Sequence, residues 1–87
     1  MEYILTFKNT NFAIKAEQNL LAAKLQVKVL PLPPQISAGC GICLRINPDE
    51  VKQAVKILAD NSINEIGLFS RESVNGKYIY TDDCLLK

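Results

Sequence analysis

The sequence contains no histidine. That absence excludes Ser–His and Cys–His nucleophilic pairs within the chain and removes the commonest metal ligand. No apolar run approaches the ~20 residues of a membrane-spanning helix. MEYILTF at the N-terminus opens with an acidic residue and lacks the basic segment and small-residue cleavage site of a secretory signal. A cytoplasmic location is the expectation that follows, with no membrane partner. Clustered basic residues are missing too. Lysines are scattered singly and the net charge is +1, so the footprint that displaces phosphate counterions from a nucleic acid is absent. No internal repeat, low-complexity linker or cofactor motif interrupts the chain.

What is there is an ordinary globular composition, 48% hydrophobic and 22% charged over 87 residues. A chain of this length buries one core, so residues 1–87 are expected to form a single domain. The three cysteines are an odd set. In a reducing compartment such cysteines are more often free thiols, ligands or nucleophiles than disulfides.

The order of elements is legible from periodicity. EYILTF (Glu2–Phe7) reads as a strand, and Ala13, Ala16, Leu20 and Ala23 then fall at helical spacing behind a cap at Asn9 or Thr10. QVKVLPL (Gln26–Leu32) reads as a second strand, placed at a sheet edge by its proline. ICLRI (Ile42–Ile46) is a third. NPDEVKQAVKILADN carries a capping pattern, with Asn47 as cap, Pro48 at the first helical position and Glu50 three after the cap, followed by Val51, Ala54, Val55 and Leu58 on one face. INEIGLFS is a fourth strand, and Asn75-Gly76 predicts a two-residue turn into KYIYT.

This order predicts an α+β fold, a ferredoxin-like βαββαβ sandwich with a short extra C-terminal edge strand. Helices are expected near residues 10–25 and 48–60 on one face of an antiparallel sheet ordered 4-1-3-2. The opposite face is expected to carry apolar residues drawn from Tyr3, Leu5, Phe7, Leu44 and Ile46, and burial of that face or of the edge strand against another copy predicts a homodimer.

ISAGCGIC (Ile36–Cys43) holds the candidate site. Cys40 lies between Gly39 and Gly41, and glycines allow close approach and positive φ, so that successive amides can point at an anion. The expected topology puts this turn at the end of the sheet where the first helix begins. Cys40, Cys43, Lys8, the amides of Asn9 to Asn11 and Cys84 could then meet at one edge, where a helix N-terminus and a lysine lower a thiol pKa. Cys43, inside a strand, also reads as a small core hydrophobe. The C-x-x-C spacing lacks the strand-then-helix context of thioredoxin-type exchange. Two thiolates suit a soft ion such as Cu(I), and a closed zinc site needs further ligands, so Cys40 and Cys43 are the residues of a metal-binding alternative. The pairs Asp49/Glu50 and Asp82/Asp83 read as helix-start charge and solvated tail, Tyr78 and Tyr80 as strand packing, and PLPP (Pro31–Pro34) as a stiff strand exit.

YILTF, the helix AIKAEQNLL and the run LPLPPQISAGCGICLRI together resemble the selenium/sulfur carrier-like family, formerly catalogued only as a domain of unknown function. The resemblance extends to about Ser70, and its most specific part is Pro33, Pro34, Ile36, Ser37, Cys40 and Gly41. It implies carriage of sulfur or selenium on Cys40, with Ser37, Gly39, Gly41 and Cys43 around it, beside donor and acceptor proteins of bacterial selenium or sulfur metabolism. Such a module is more a carrier than an enzyme. Two features depart from the family's pattern: a second thiol at Cys43, and no basic residue near the end of the second strand. An interaction domain with passive cysteines is the remaining alternative.

Overall fold

In EYILT the side chains alternate, sending Tyr3 and Leu5 to one face of β1 (Glu2–Thr6) and Ile4 and Thr6 to the other. β1 lies at the centre of a five-stranded antiparallel sheet in the computed structural model, which describes residues 1–36, 41–63 and 66–82. The chain continues through α1 (Thr10–Ala22), β2 (Val27–Pro31), β3 (Ile42–Ile46), α2 (Val51–Asp60), β4 (Gly67–Val74) and β5 (Lys77–Asp82). The sheet order is β2-β3-β1-β4-β5. The fold is therefore α+β, with the expected antiparallel pairing of the second and third strands and with β5 along the free edge of β4. Proline-ended β2 is the opposite edge, where the missing N–H of Pro31 removes no ladder bond from a further strand.

Both helices pack on one face. Asn9 is extended (φ −153°) and its Oδ1 accepts from the Phe12 N–H at 3.0 Å, satisfying one of the orphan amides of α1. Ala13, Ala16 and Leu20 of α1 and Val51, Ala54 and Leu58 of α2 meet Tyr3, Leu5, Phe7, Leu44, Ile46 and Leu68 in the main core. Tyr3 and Leu5 of β1, Leu44 and Ile46 of β3, and the flanking Phe7 are thus beneath the helices, not on the open face where they were expected. The physical reason is that a strand offers one apolar stripe per face, and the larger stripe is the one two helices must cover.

Both helices end in the same way. Leu25 N–H donates to Leu20 O at 3.1 Å and Lys24 N–H to Leu21 O at 2.9 Å; Ile63 N–H donates to Leu58 O at 2.8 Å and Ser62 N–H to Ala59 O at 3.1 Å. Lys24 (φ 65°) and Ser62 (φ 61°) hold the left-handed position of this Schellman motif, and the following Leu25 and Ile63 are buried.

The start of α2 differs from the capping pattern. Helix begins only at Val51, and residues 48–50 form a turn closed by Glu50 N–H to Asn47 O at 3.0 Å. The Glu50 side chain accepts from the Gln26 N–H at 3.3 Å and Asn47 Nδ2 donates to Gln26 Oε1 at 3.1 Å. Both capping side chains instead tie the helix start to the entrance of β2. Among the described residues no helix is long and apolar enough to cross a membrane.

Candidate functional site

β1, β2 and β5 run one way and β3 and β4 the other. The exit of β1 into α1 and the loop from β2 to β3 therefore share one end of the sheet, as the topology predicted. The last ladder pair there is Pro31 opposite Ile42, and beyond it Leu32 N–H donates to Gly41 O at 3.1 Å, closing the loop's base. Ile36 N–H donates to Pro33 O at 3.0 Å, turning the chain back over the open face. Ile36, 5% exposed, packs with Ile4 and Cys43, and Leu30, Leu32, Phe69 and Tyr80 border that cluster. The face opposite the helices is thus partly roofed by the protein's own loop.

Ser37, Gly39 and Cys40 lie outside the described residues, and so does Cys84. Gly41 is exposed, its φ is not in the left-handed region, and a Cβ built there would meet nothing within 4 Å. The expectation that glycine supplies a special backbone conformation is therefore not met at Gly41. Cys43 is fully buried, and its Sγ donates to Pro31 O at 3.7 Å. It is held in the smaller core, on the face away from the helices. Among the described residues no three His, Cys, Asp or Glu side chains come together as a metal site.

Sequence reasoning missed a charged cluster on the open face. Glu2, Arg71 and Tyr80 occupy one register row, and Arg45 lies opposite Ile4, two residues along β1 from Glu2. Arg45 Nη1 donates to Glu2 Oε2 at 2.7 Å, Arg71 Nε to Glu2 Oε1 at 2.9 Å, and Arg71 Nη2 to the same oxygen. Burial disfavours the Glu2 carboxylate, but hydrogen bonds and charge from Arg71 and Arg45 outweigh it and hold its pKa below the ordinary value. Burial likewise opposes the Arg71 cation, and hydrogen bonds to Glu2 and Tyr80 with the Glu2 charge more than offset it. The guanidinium carbon of Arg71 sits 4.2 Å from the centroid of the Tyr78 ring, and that ring is 6.4 Å from Tyr80 at an interplanar angle of 50°. The available signal was parity: Glu2, Arg71, Tyr78 and Tyr80 all fall on the outward alternation of their strands.

Between this cluster and the loop runs a groove of about 610 Å³. Leu30 to Gln35 form one side, Tyr78 and Tyr80 the other, with Arg71 and Lys77 completing the lining.

A family model described as "Putative Se/S carrier protein-like" matches residues 2–70 of the chain. No curated protein and no solved structure matches it. The matched span ends inside β4, so Arg71, Lys77, Tyr78 and Tyr80 lie beyond it.

Proposed function

Because the chain belongs to the Se/S carrier protein-like family, we propose that it is a carrier module that accepts sulfur or selenium on Cys40 and delivers it to an acceptor protein. The observation that carries the assignment to Cys40 is the burial of Cys43, whose thiol is spent on the Pro31 carbonyl inside the smaller core. Gly41, which follows Cys40 in the sequence, is exposed. Ser37, Gly39 and Gly41 are the neighbours of Cys40 in this reading, and a two-thiolate metal site is disfavoured because Cys43 is closed off.

The transfer follows the rules of thiol exchange. The Cys40 thiolate attacks the terminal sulfur of a donor persulfide, R–S–S–H. A new S–S bond forms to Cys40, the donor's S–S bond breaks, and the proton passes from the transferred sulfur to the departing thiolate, leaving R–SH and the Cys40 persulfide anion. No outside oxidant is required. A selenopersulfide donor transfers selenium by the same balance. Free thiols of this kind suit a reducing, cytoplasmic setting. We read the fold as the ferredoxin-like sandwich with β5 added, supported by the sheet order. We read the assembly as a homodimer through β5, whose outer edge pairs with no strand among the described residues and carries exposed Tyr78 and Ile79.

The test is mass spectrometry of the purified protein after incubation with glutathione persulfide or its selenium counterpart. A gain of one sulfur or selenium atom, lost on reduction and absent in Cys40→Ser, is the expected result. A Cys40→Ser variant that still gains the atom overturns the assignment.

A further inference from the structure

We propose that the groove on the open face is a binding site for a small organic anion: a flat apolar body bearing one carboxylate, sulfonate or phosphate. Its volume of about 610 Å³ lies within the range of roughly 300–1,000 Å³ typical of small-molecule sites. The walls supply the body's contacts. Pro33 and Pro34 give a stiff apolar side, and the tilted Tyr78 and Tyr80 rings give an aromatic one.

The charge balance selects the sign. Among the described residues no Asp or Glu lines the groove, while Arg71 and Lys77 both do. Glu2 does bind Arg71, but it is one carboxylate shared between two guanidiniums, so the trio keeps a net positive charge. Lys77 makes no ion pair with a described residue. The nearest acid on β5 is Asp82, at the far end of the strand from Lys77 and opposite Phe69.

The site is also preformed. Arg71 is clamped by Glu2 and stacked on Tyr78, and the proline wall is pinned by the burial of Ile36. Ordering these groups is part of folding, which lowers the entropy lost on binding. The groove uses no cysteine, and its aromatic side lies outside the residues shared with the carrier family. It is therefore a feature of this chain that stands or falls separately from carriage on Cys40.

The experiment is a fluorescence titration with 8-anilinonaphthalene-1-sulfonate, alongside its uncharged counterpart N-phenyl-1-naphthylamine. The wild-type chain should bind the sulfonate saturably at one site, at least about tenfold tighter than the neutral probe, a difference of roughly 1.4 kcal/mol. Lys77→Glu and Tyr78→Ala, both at exposed positions, should each weaken the sulfonate about tenfold while far-ultraviolet circular dichroism stays unchanged. Cys40→Ser and the remote Val29→Lys should bind like wild type. Displacement by indole-3-acetate or by phenyl phosphate then ranks carboxylate against phosphate as the preferred head group. Non-saturable binding, equal affinity for the neutral probe, or indifference to both groove substitutions would overturn the proposal.

Discussion

The thiol of Cys43 donates to the main-chain oxygen of Pro31, the residue that ends the neighbouring strand, at 3.7 Å. A side chain that reads from the sequence either as a small core hydrophobe or as half of a reactive pair is thereby a packing element in a core made with Ile4 and Ile36. The C-x-x-C stretch then divides: Cys43 fastens the base of the loop, and Cys40 is the residue proposed for exchange.

Thiol labelling separates these roles. Limiting iodoacetamide should modify Cys40 well before Cys43, as read by peptide mass spectrometry, because alkylation needs access as well as thiolate. Cys43→Ala should lower unfolding free energy by about 1–2 kcal/mol through lost burial, with adduct formation on Cys40 retained. Preferential labelling of Cys43 would contradict the packing role.

Acid sensitivity should run through Glu2. Its pKa is lowered in the folded chain from a reference of 4.5, so just below that value the unfolded chain binds more protons than the native one. The contribution to stability is complete above pH 4.5 and is lost as pH falls through the depressed native value. Glu2→Gln should cost about 1–2 kcal/mol at pH 7, where charge-assisted hydrogen bonds to Arg71 and Arg45 are removed. The gap between the two denaturation curves should close as the pH is lowered beneath that window. A gap that persists unchanged at pH 2 would remove the carboxylate from the account.

Glycine should improve both helix ends. Lys24 and Ser62 adopt φ of 65° and 61° with ordinary side chains, a conformation that costs L-residues roughly 1 kcal/mol. Lys24→Gly and Ser62→Gly should each raise stability by about 0.5–1 kcal/mol in urea titrations, and their effects should add because the sites sit on different helices. Destabilisation by either would show that its side chain contributes more than the strain it bears.

Self-association should depend on the edge of β5. In antiparallel pairing of two copies about Ile79, Tyr78 of each strand faces Tyr80 of the other, an aromatic cross-strand contact. Sedimentation should show dimer at high micromolar concentration for the wild type and monomer for Ile79→Lys, since an edge lysine blocks strand addition. A wild-type chain that stays monomeric, or an Ile79→Lys variant that stays dimeric, would rule out this edge.

Periodicity alone placed much of the fold. ICLRI set β3 to the residue, Asn9 capped α1, Asn75-Gly76 made the hairpin turn with φ of 51° and 78°, and Pro31 sent β2 to an edge. These are local effects, decided by φ, by orphan amides and by alternation, all of which reside in a few neighbouring residues. The face of the sheet each stripe would take was not local. Tyr3, Leu5 and Ile4 all look apolar in sequence, and only docking of Ala16, Ala54 and Leu58 decided which stripe became the main core. The capping box at Asn47 was lost for the same kind of reason, because Gln26, distant in sequence, competed for both side chains. At the candidate site the cysteines and glycines were legible by type, whereas the burial of Cys43 was fixed by Ile36 folding back from the loop. Glu2, Arg45 and Arg71 are separated by tens of residues, and only strand register brings them together, so the charged cluster and its groove belong to the tertiary structure.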